Sequence, residues 1–385
     1  MSREIKELSG VNNRPDILFA HRDLATIDRG GICVLFKSLS AGLASKGYKV
    51  HLLSTRDISL EGVSVHRLPD IEDPRKYSQV VTEAVEDIDP LIAECSTWRY
   101  ELLDYSNRHG RRSRLVVRAD PSAETLFQNA EHHSEGERVL CANADLILAV
   151  SDFAKRDIQT RYGVSDDKIH VVYNGIPVVE TPTQNSTITS GEILHPELND
   201  AQRIQSLRLQ DVLKPQRINI IWIGKPTSMK GFDFLEALVA NATDEFNFVV
   251  NLGYSPNEIM WKDENYRKCT FIRGLSKSDQ AKLISGSDVL LSTSRFEGFG
   301  IVVAEALQFG VPAVINLGCE VFNEFKDING VSLVDVLNLE KVYSTLRASK
   351  LLKTRSSLLP DFFTQNQMVN KSLEYYQELL GSNKS

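Results

Sequence analysis

Two carboxylates, Glu297 and Glu305, stand in E-x7-E spacing within Arg295–Pro312, RFEGFGIVVAEALQFGVP. Glu297 precedes two glycines that flank an aromatic: Gly298, Phe299 and Gly300. The run before it, Asp288–Thr293 (DVLLST), reads as a buried parallel strand, and Val311–Asn316 (VPAVIN) as the next one. The segment between them therefore starts a helix just past the carboxyl end of a strand, where open α/β sheets bind ligands. Backbone N–H groups near Phe299, Gly300 and Ile301 would point out of that helix start and suit a phosphate or a sugar oxygen. Glu305 is the odd residue, because Ile301, Val302, Val303, Ala304, Ala306, Leu307 and Phe309 make the helix apolar nearly all round. A carboxylate there is costly unless something hydrogen-bonds to it. The plainer alternative is a strand–turn–helix corner with one surface Glu and one Glu paired to a core Lys or Arg.

Ile221–Gly231, IWIGKPTSMKG, carries a second phosphate-type signal: a strand, a glycine, then Lys225 and Lys230 before a helix. It is not a P-loop, which needs its glycine before the lysine. Nearer the start, Asp28–Gly31 (DRGG) places Gly30 and Gly31 at the end of the loop after the first strand, where glycines let the backbone approach a ligand. LVVRADP, over Leu115–Pro121, ends in Asp120, which either holds a hydroxyl or N-caps a helix near Ala123–Asn129. Asp87–Asp89 (DID) has the look of a metal-binding D-x-D but falls where a helix–strand turn belongs. Arg108, Arg111, Arg112 and Arg114 form a basic run that suits either an anionic ligand or a solvated loop. The eight histidines show no H-E-x-x-H spacing, and no G-x-S-x-G elbow is present.

These residues need a scaffold, and the hydrophobic pattern supplies one. Strands are expected at Asp16–Ala20, Tyr48–Ser54, Val63–Arg67, Leu91–Cys95, Leu115–Arg118, Asp145–Val150 and His170–Tyr173. Ile32, Leu35, Leu39 and Leu43 share one helical stripe, which Gly47 stops. A second series is expected at Ile218–Ile223, Phe246–Leu252, Thr270–Arg273, Asp288–Thr293 and Pro312–Ile315. At 385 residues the chain exceeds a typical single core, so two α/β domains are expected: 14–180, and 217–365 after a linker or insertion at 181–216. A last helix falls within 366–385. The net charge of −7 argues against nucleic acid as a partner. Five scattered cysteines suggest reduced thiols in the cytoplasm and no zinc site. The polar start lacks the apolar core of a signal peptide, and no run approaches a membrane span.

E-x7-E headed by E-G-F-G resembles the signature of retaining GT-B glycosyltransferases, above all glycosyltransferase family 4, and the likeness runs over roughly Asp16–Leu333. The resemblance implies a GT-B architecture, two doubly wound Rossmann-like domains facing an inter-domain cleft, with the last helix packing back on the first, acceptor-side domain. It implies that Glu297 contacts hydroxyls of the donor sugar and that Glu305 accepts hydrogen bonds from the nucleotide ribose. Lys230–Gly231 matches the family's Lys-Gly, whereas Lys225 stands where Arg is usual, keeping the charge and losing the fork. Both lysines would hold the donor diphosphate. Gly30 and Gly31 correspond to a Gly-Gly pair near the transferred sugar, and Asn174–Gly175 to the N-G turn after the domain's last strand. Asp120 stands where many members carry His beside the sugar's 6-hydroxyl. The implied reaction is retaining and metal-independent, with Glu297, Lys230 and Asp120 in catalytic roles. It moves a hexose from a UDP- or GDP-linked donor to a hydroxyl of a glycan, glycolipid or small molecule, without a cofactor. The leaving phosphate would take the proton, and the enzyme would be cytoplasmic or peripheral at the inner face of a membrane. The alternatives are a non-catalytic glycosyltransferase-like subunit, or another GT-B enzyme such as a nucleotide-sugar epimerase or a phosphorylase.

Overall fold

The computed structural model describes residues 17–22, 24, 31–127, 131–182, 187–195, 200–253, 261 and 263–381. It divides into two compact units. The first comprises the described residues of Met1–Val150, Ala154–Val172 and Val369–Ser385, and the second Ser151–Phe153 and Tyr173–Met368.

Seven strands build the first unit: β1 (Ile17–Ala20), β2 (Val50–Ser54), β3 (Val63–Arg67), β4 (Ile92–Ser96), β5 (Arg114–Ala119), β6 (Leu146–Ala149) and β7 (Ile169–Val171). They lie in the order β3-β2-β1-β4-β5-β6-β7, every neighbouring pair parallel. All residues of β1, β4 and β6 are buried, as strands covered on both faces must be. The order reverses between β1 and β4, so their carboxyl ends flank a topological switch point. Helices α1 (Gly31–Ser45), α2 (Pro74–Ile88), α3 (Leu103–Ser106), α4 (Ala123–Phe127), α5 (Glu131–Asn143) and α6 (Asp152–Tyr162) form the connections. Gly47, at φ +84, ends the turn after α1 as its position in the sequence suggests. Asp73 caps α2 by accepting from the Arg75 and Lys76 amides at 2.9 and 3.0 Å, with Pro74 as the first helical residue.

The second unit holds β8 (Thr187–Ile188), β9 (Glu192–His195), β10 (Asp200–Arg203), β11 (Leu207–Arg208), β12 (Ile218–Gly224), β13 (Phe246–Leu252), β14 (Cys269–Arg273), β15 (Val289–Ser292), β16 (Ala313–Asn316) and β17 (Val331–Val334). Eight of these make one sheet, ordered β10-β9-β14-β13-β12-β15-β16-β17, and β8 pairs with β11. Its helices are α7 (Leu209–Val212), α8 (Phe232–Asn241), α9 (Asp263–Tyr266), α10 (Lys277–Gly286), α11 (Ile301–Gln308) and α12 (Leu339–Lys350). Trp222, Phe232, Phe248 and Trp261 lie in one apolar layer, and Ile221, Val249, Phe299 and Phe325 in another.

The segment 181–216, expected as a linker or insertion, carries β8 to β11 and the short helix α7. Ile193 and Leu194 of β9 pair antiparallel with Ile272 and Phe271 of β14, so the segment extends the second sheet. Asp279 on α10 secures it, accepting from the Thr189 amide at 3.0 Å and from Ser190 Oγ at 2.5 Å. Burial opposes ionisation of Asp279, yet Lys282 and these donors outweigh it and pull its pKa down to about 2. Two apolar residues, Ile193 and Leu194, make a strand just past a Thr/Ser-rich stretch. β17 was also not anticipated.

The chain ends in α13 (Gln365–Gly381), whose residues from Val369 belong to the first unit. There Tyr376 donates its hydroxyl to Glu94 Oε2, and Arg118 donates to Glu94 Oε1 at 2.9 Å and to Ser372 Oγ at 3.1 Å. Arg118 and Glu94 are both fully enclosed, so the pair depends on these partners, although Arg118 Nη1 is left without one. Tyr375 stacks on His170 with ring centroids 4.5 Å apart. Among the described residues no helix is long and apolar enough to cross a membrane.

Candidate functional site

In the second unit, the loops after β12 and β15 are sewn together. Thr293, at the end of β15, sets its Oγ1 3.0 and 2.9 Å from the Lys230 and Gly231 carbonyl oxygens and accepts from the Trp222 indole N–H at 2.9 Å. The Arg295 amide donates to the Met229 carbonyl at 2.8 Å. Arg295 also forks onto both oxygens of Asp233 at 2.7 Å. Gly231 has φ +64 and lies against Thr293 so closely that a Cβ would come 2.0 Å from its carbonyl oxygen. Glycine is required there twice over.

This seam brings Lys230 and Glu297 together. Lys230 Nζ donates to Glu297 Oε2 at 2.6 Å, and Ser294 Oγ donates to Glu297 Oε1 at 2.7 Å. The pair is partly open to solvent, at 25 and 16 % side-chain exposure. Lys225 is exposed just past β12, beside Gly253 at the end of β13.

Helix α11 begins at Gly300, whose φ of +108 no ordinary side chain favours, and no side chain caps it. A Cβ on Gly300 would meet the Phe322 ring at 3.0 Å. Phe299 is a core anchor: its ring is buried against Phe325 and Phe363, with centroids at 5.4 and 4.8 Å. Only its backbone is left to serve a ligand. Gly298 and Ile301 flank this corner, and the Gly298 carbonyl accepts from Ser151 Oγ at 3.4 Å. Glu305 projects from α11 with 14 % side-chain exposure and accepts from Gln280 Nε2 at 2.9 Å and Lys277 Nζ at 3.2 Å. Gln280 Oε1 accepts in turn from Asn251 at the end of β13, at 3.2 Å. The carboxylate in an apolar helix thus has its partners, and they come from the neighbouring helix α10.

In the first unit, Asp120 follows β5 directly. The cap of α4 is Ser122, whose Oγ accepts from the Thr125 amide at 3.3 Å, while Asp157 and Glu137 accept from the Ser122 and Ala123 amides at 2.7 and 2.9 Å. The capping alternative for Asp120 is therefore not what this helix uses. Asp120 Oδ2 is buried with no hydrogen-bond partner, although the residue as a whole is partly open. Burial raises its pKa to about 6, against the pull of His21 and Arg118. Gly31 is exposed at the start of α1, and Gly30 lies outside the described residues.

Two residues passed over in the sequence stand here. His21, the first residue past β1, sets Nδ1 3.0 Å from Glu101 Oε1, and Cys33 Sγ lies 3.5 Å from its Nε2. The Arg22 amide donates to the same Glu101 oxygen at 3.2 Å. Burial disfavours the imidazolium, but the bonds to Cys33 and Glu101 and the Glu101 charge win, raising the His21 pKa to about 10. A polar residue immediately after an apolar strand was the available signal.

The remaining candidates have local partners of their own. Asp89 takes a left-handed conformation at φ +51 to end α2, which accounts for the D-x-D lookalike. Arg108, Arg111, Arg112 and Arg114 each have an acidic neighbour, respectively Asp104 at 3.3 Å, Asp145 at 3.6 Å, Asp89 at 3.4 Å and Asp145 at 3.7 Å. The basic run is charge-compensated. Gly175 is needed because Thr364 approaches: a Cβ would lie 2.3 Å from its carbonyl oxygen.

Residues 123–180 match the family model for Glycosyltransferase Family 4, and residues 208–330 that for Glycosyl transferases group 1. A 41.2 kDa uncharacterized protein in the cps region of Klebsiella pneumoniae is 26% identical over 253 residues, which span 63% of this chain and 63% of that relative. Sucrose-phosphate synthase from Thermosynechococcus elongatus superposes with a TM-score of 0.74 at 14% identity, covering 96% of this chain and 100% of that one. Anabaena HepE in complex with UDP and glucose gives 0.70 at 14% identity, covering 94% and 99%. At such identities the structural likeness speaks for the fold. The two family models match parts of this chain, and the structural likeness shows that it has the GT-B fold of these glycosyltransferases.

Proposed function

We propose that the chain transfers a hexose from a nucleoside-diphosphate sugar, UDP- or GDP-linked, to an acceptor hydroxyl with retention of configuration and without a metal. The observation that carries this reading is the seam of the second unit, where Lys230, Ser294 and Glu297 converge beside the uncapped start of α11. The fold likeness to HepE, whose structure holds UDP and glucose, supports a nucleotide-sugar donor.

An ammonium has three protons to give. Lys230 can keep one on Glu297 and direct others to a diphosphate, so the ion pair positions the cation before the donor arrives. Lys230, Lys225 and the amides at Gly300 and Ile301 then stabilise negative charge as it builds on the departing phosphate. Glu297, steadied by Ser294, accepts from sugar hydroxyls. Glu305 exchanges its contacts with Lys277 and Gln280 for the ribose hydroxyls. The sugar carbon–oxygen bond to the phosphate breaks, the acceptor oxygen bonds on the same face, and the departing phosphate takes the acceptor's proton. With lysines neutralising the phosphate, no divalent cation is called for.

The test is a donor screen by nucleotide release with and without EDTA, with mass spectrometry identifying the glycosylated product. Release without any transfer product across the screen, or activity lost to EDTA and restored by Mn²⁺, overturns the proposal.

A further inference from the structure

We infer that His21 and Glu101 are positioning residues for Asp120: Glu101 fixes the imidazole, the imidazole presents positive charge to Asp120, and Asp120 Oδ2 takes a sugar or acceptor hydroxyl. This rests on the glycosyl-transfer reading and extends it to residues that reading does not use.

The topology makes the grouping. β1, β4 and β5 are consecutive in the sheet, and His21, Glu101 and Asp120 all lie beyond their carboxyl ends. β1 and β5 are two strand spacings apart, about 10 Å. Glu101 arrives from the strand between them. The loop that delivers it is strained: Tyr100 has φ +42, a left-handed conformation that a bulky residue rarely takes. Gly136 makes room for the Tyr100 ring, since a Cβ there would lie 3.2 Å from three of its atoms. Backbone strain is thus spent on placing one carboxylate.

That carboxylate is fully buried and uses only Oε1, toward His21 and the Arg22 amide. Glu101 Oε2 and Asp120 Oδ2 are both buried without hydrogen-bond partners. Buried acceptors left open are uncommon and point to a missing donor. Asp120, partly open, is the one a hydroxyl can reach.

The groups facing Asp120 decide its charge. From the end of β1 comes His21, held protonated by its bonds to Cys33 of α1 and to Glu101. From β5 comes Arg118, committed to Glu94 and Ser372. From α5 comes Glu137, which feels both Asp120 and Asp157 of α6. Of the two cations, Arg118 is charged at any working pH. His21 is the one whose charge a partner controls.

The experiment follows the Asp120 carboxyl by 13C NMR in the intact chain, with Asp120→Asn for assignment, and the pH dependence of transfer in parallel. The Asp120 resonance is expected to titrate near pH 6. His21→Gln should move that midpoint up by about half a pH unit or more, because a nearby positive charge is lost. Glu101→Gln should move it the same way, and the double variant no further than His21→Gln alone. The acidic limb of the transfer rate should follow each shift and vanish in Asp120→Asn. A merely structural role would lower stability or rate and leave the midpoint in place, which overturns the inference. Should the variants not fold, the wild type still decides: a neutral His21 ring at pH 8 refutes it. Failure of the donor screen with the NMR shifts intact would refute the transfer reading and leave the charge coupling standing.

Discussion

Gly231→Ala tests the seam that holds Lys230 beside Glu297. The left-handed φ of +64 costs an alanine about 1 kcal/mol. The larger effect is steric: the new methyl would sit 2.0 Å from the Thr293 carbonyl oxygen, where 3.0 Å is the practical limit. The two loops must part by about 1 Å, which strips Thr293 Oγ1 of its backbone partners for about 1 kcal/mol more. With the packing disturbance, the loss is ~2–4 kcal/mol, or roughly 5–12 °C in melting temperature for a unit of this size. Trp222 donates to Thr293 Oγ1, so its fluorescence reports on the seam as well as on unfolding. Gly274→Ala is the matched control, since Gly274 has φ +75 in the same unit but its nearest neighbour would be 3.7 Å away. It should lose only the conformational part, about 1 kcal/mol. Nucleotide release, measured well below the melting temperature, should fall in Gly231→Ala and hold in Gly274→Ala. Equal destabilisation of the two variants would refute the steric argument, and normal release from a folded Gly231→Ala would refute the link from seam to catalysis.

Glu305→Gln should weaken donor binding by ~1–3 kcal/mol, since a charged acceptor is replaced by a neutral one. Calorimetry with the donor nucleotide reads this, and unchanged affinity in a folded variant removes Glu305 from the donor site. Glu297→Ala and Lys230→Ala should each cut turnover by tenfold or more while costing about 1 kcal/mol of stability or less, because the pair is partly exposed. A variant that keeps near-normal turnover assigns its residue to structure alone.

The parallel strands were legible because a strand covered on both faces must be apolar throughout, and ILFA, IAECS and VLLS leave few other readings. Strand β9 was not, because Glu192 and His195 flank only two apolar residues and its stability comes from β14 and Asp279, far along the chain. No local pattern carries that information. In the second unit the sequence showed where Glu297 and Lys230 would lie, since E-G-F-G and Lys230–Gly231 sit next to strands that declare themselves. It did not reveal that Phe299 points into the core, nor that Gln280 and Lys277 would meet Glu305. Such contacts depend on how α10 packs against α11.

The first unit shows the harder case. Asp120 drew attention because it departs from a familiar pattern, and its competing role as a cap could not be resolved without knowing that Ser122 caps α4. His21 and Glu101 drew none, being 80 positions apart and joined only through the pairing of β1 with β4. Burial holds Asp120 back from ionising, and the His21 charge partly restores it. At strand ends the sheet imposes convergence on residues that are distant in sequence. A polar residue directly after a buried strand is therefore a candidate in its own right, and the topology decides which such residues act together.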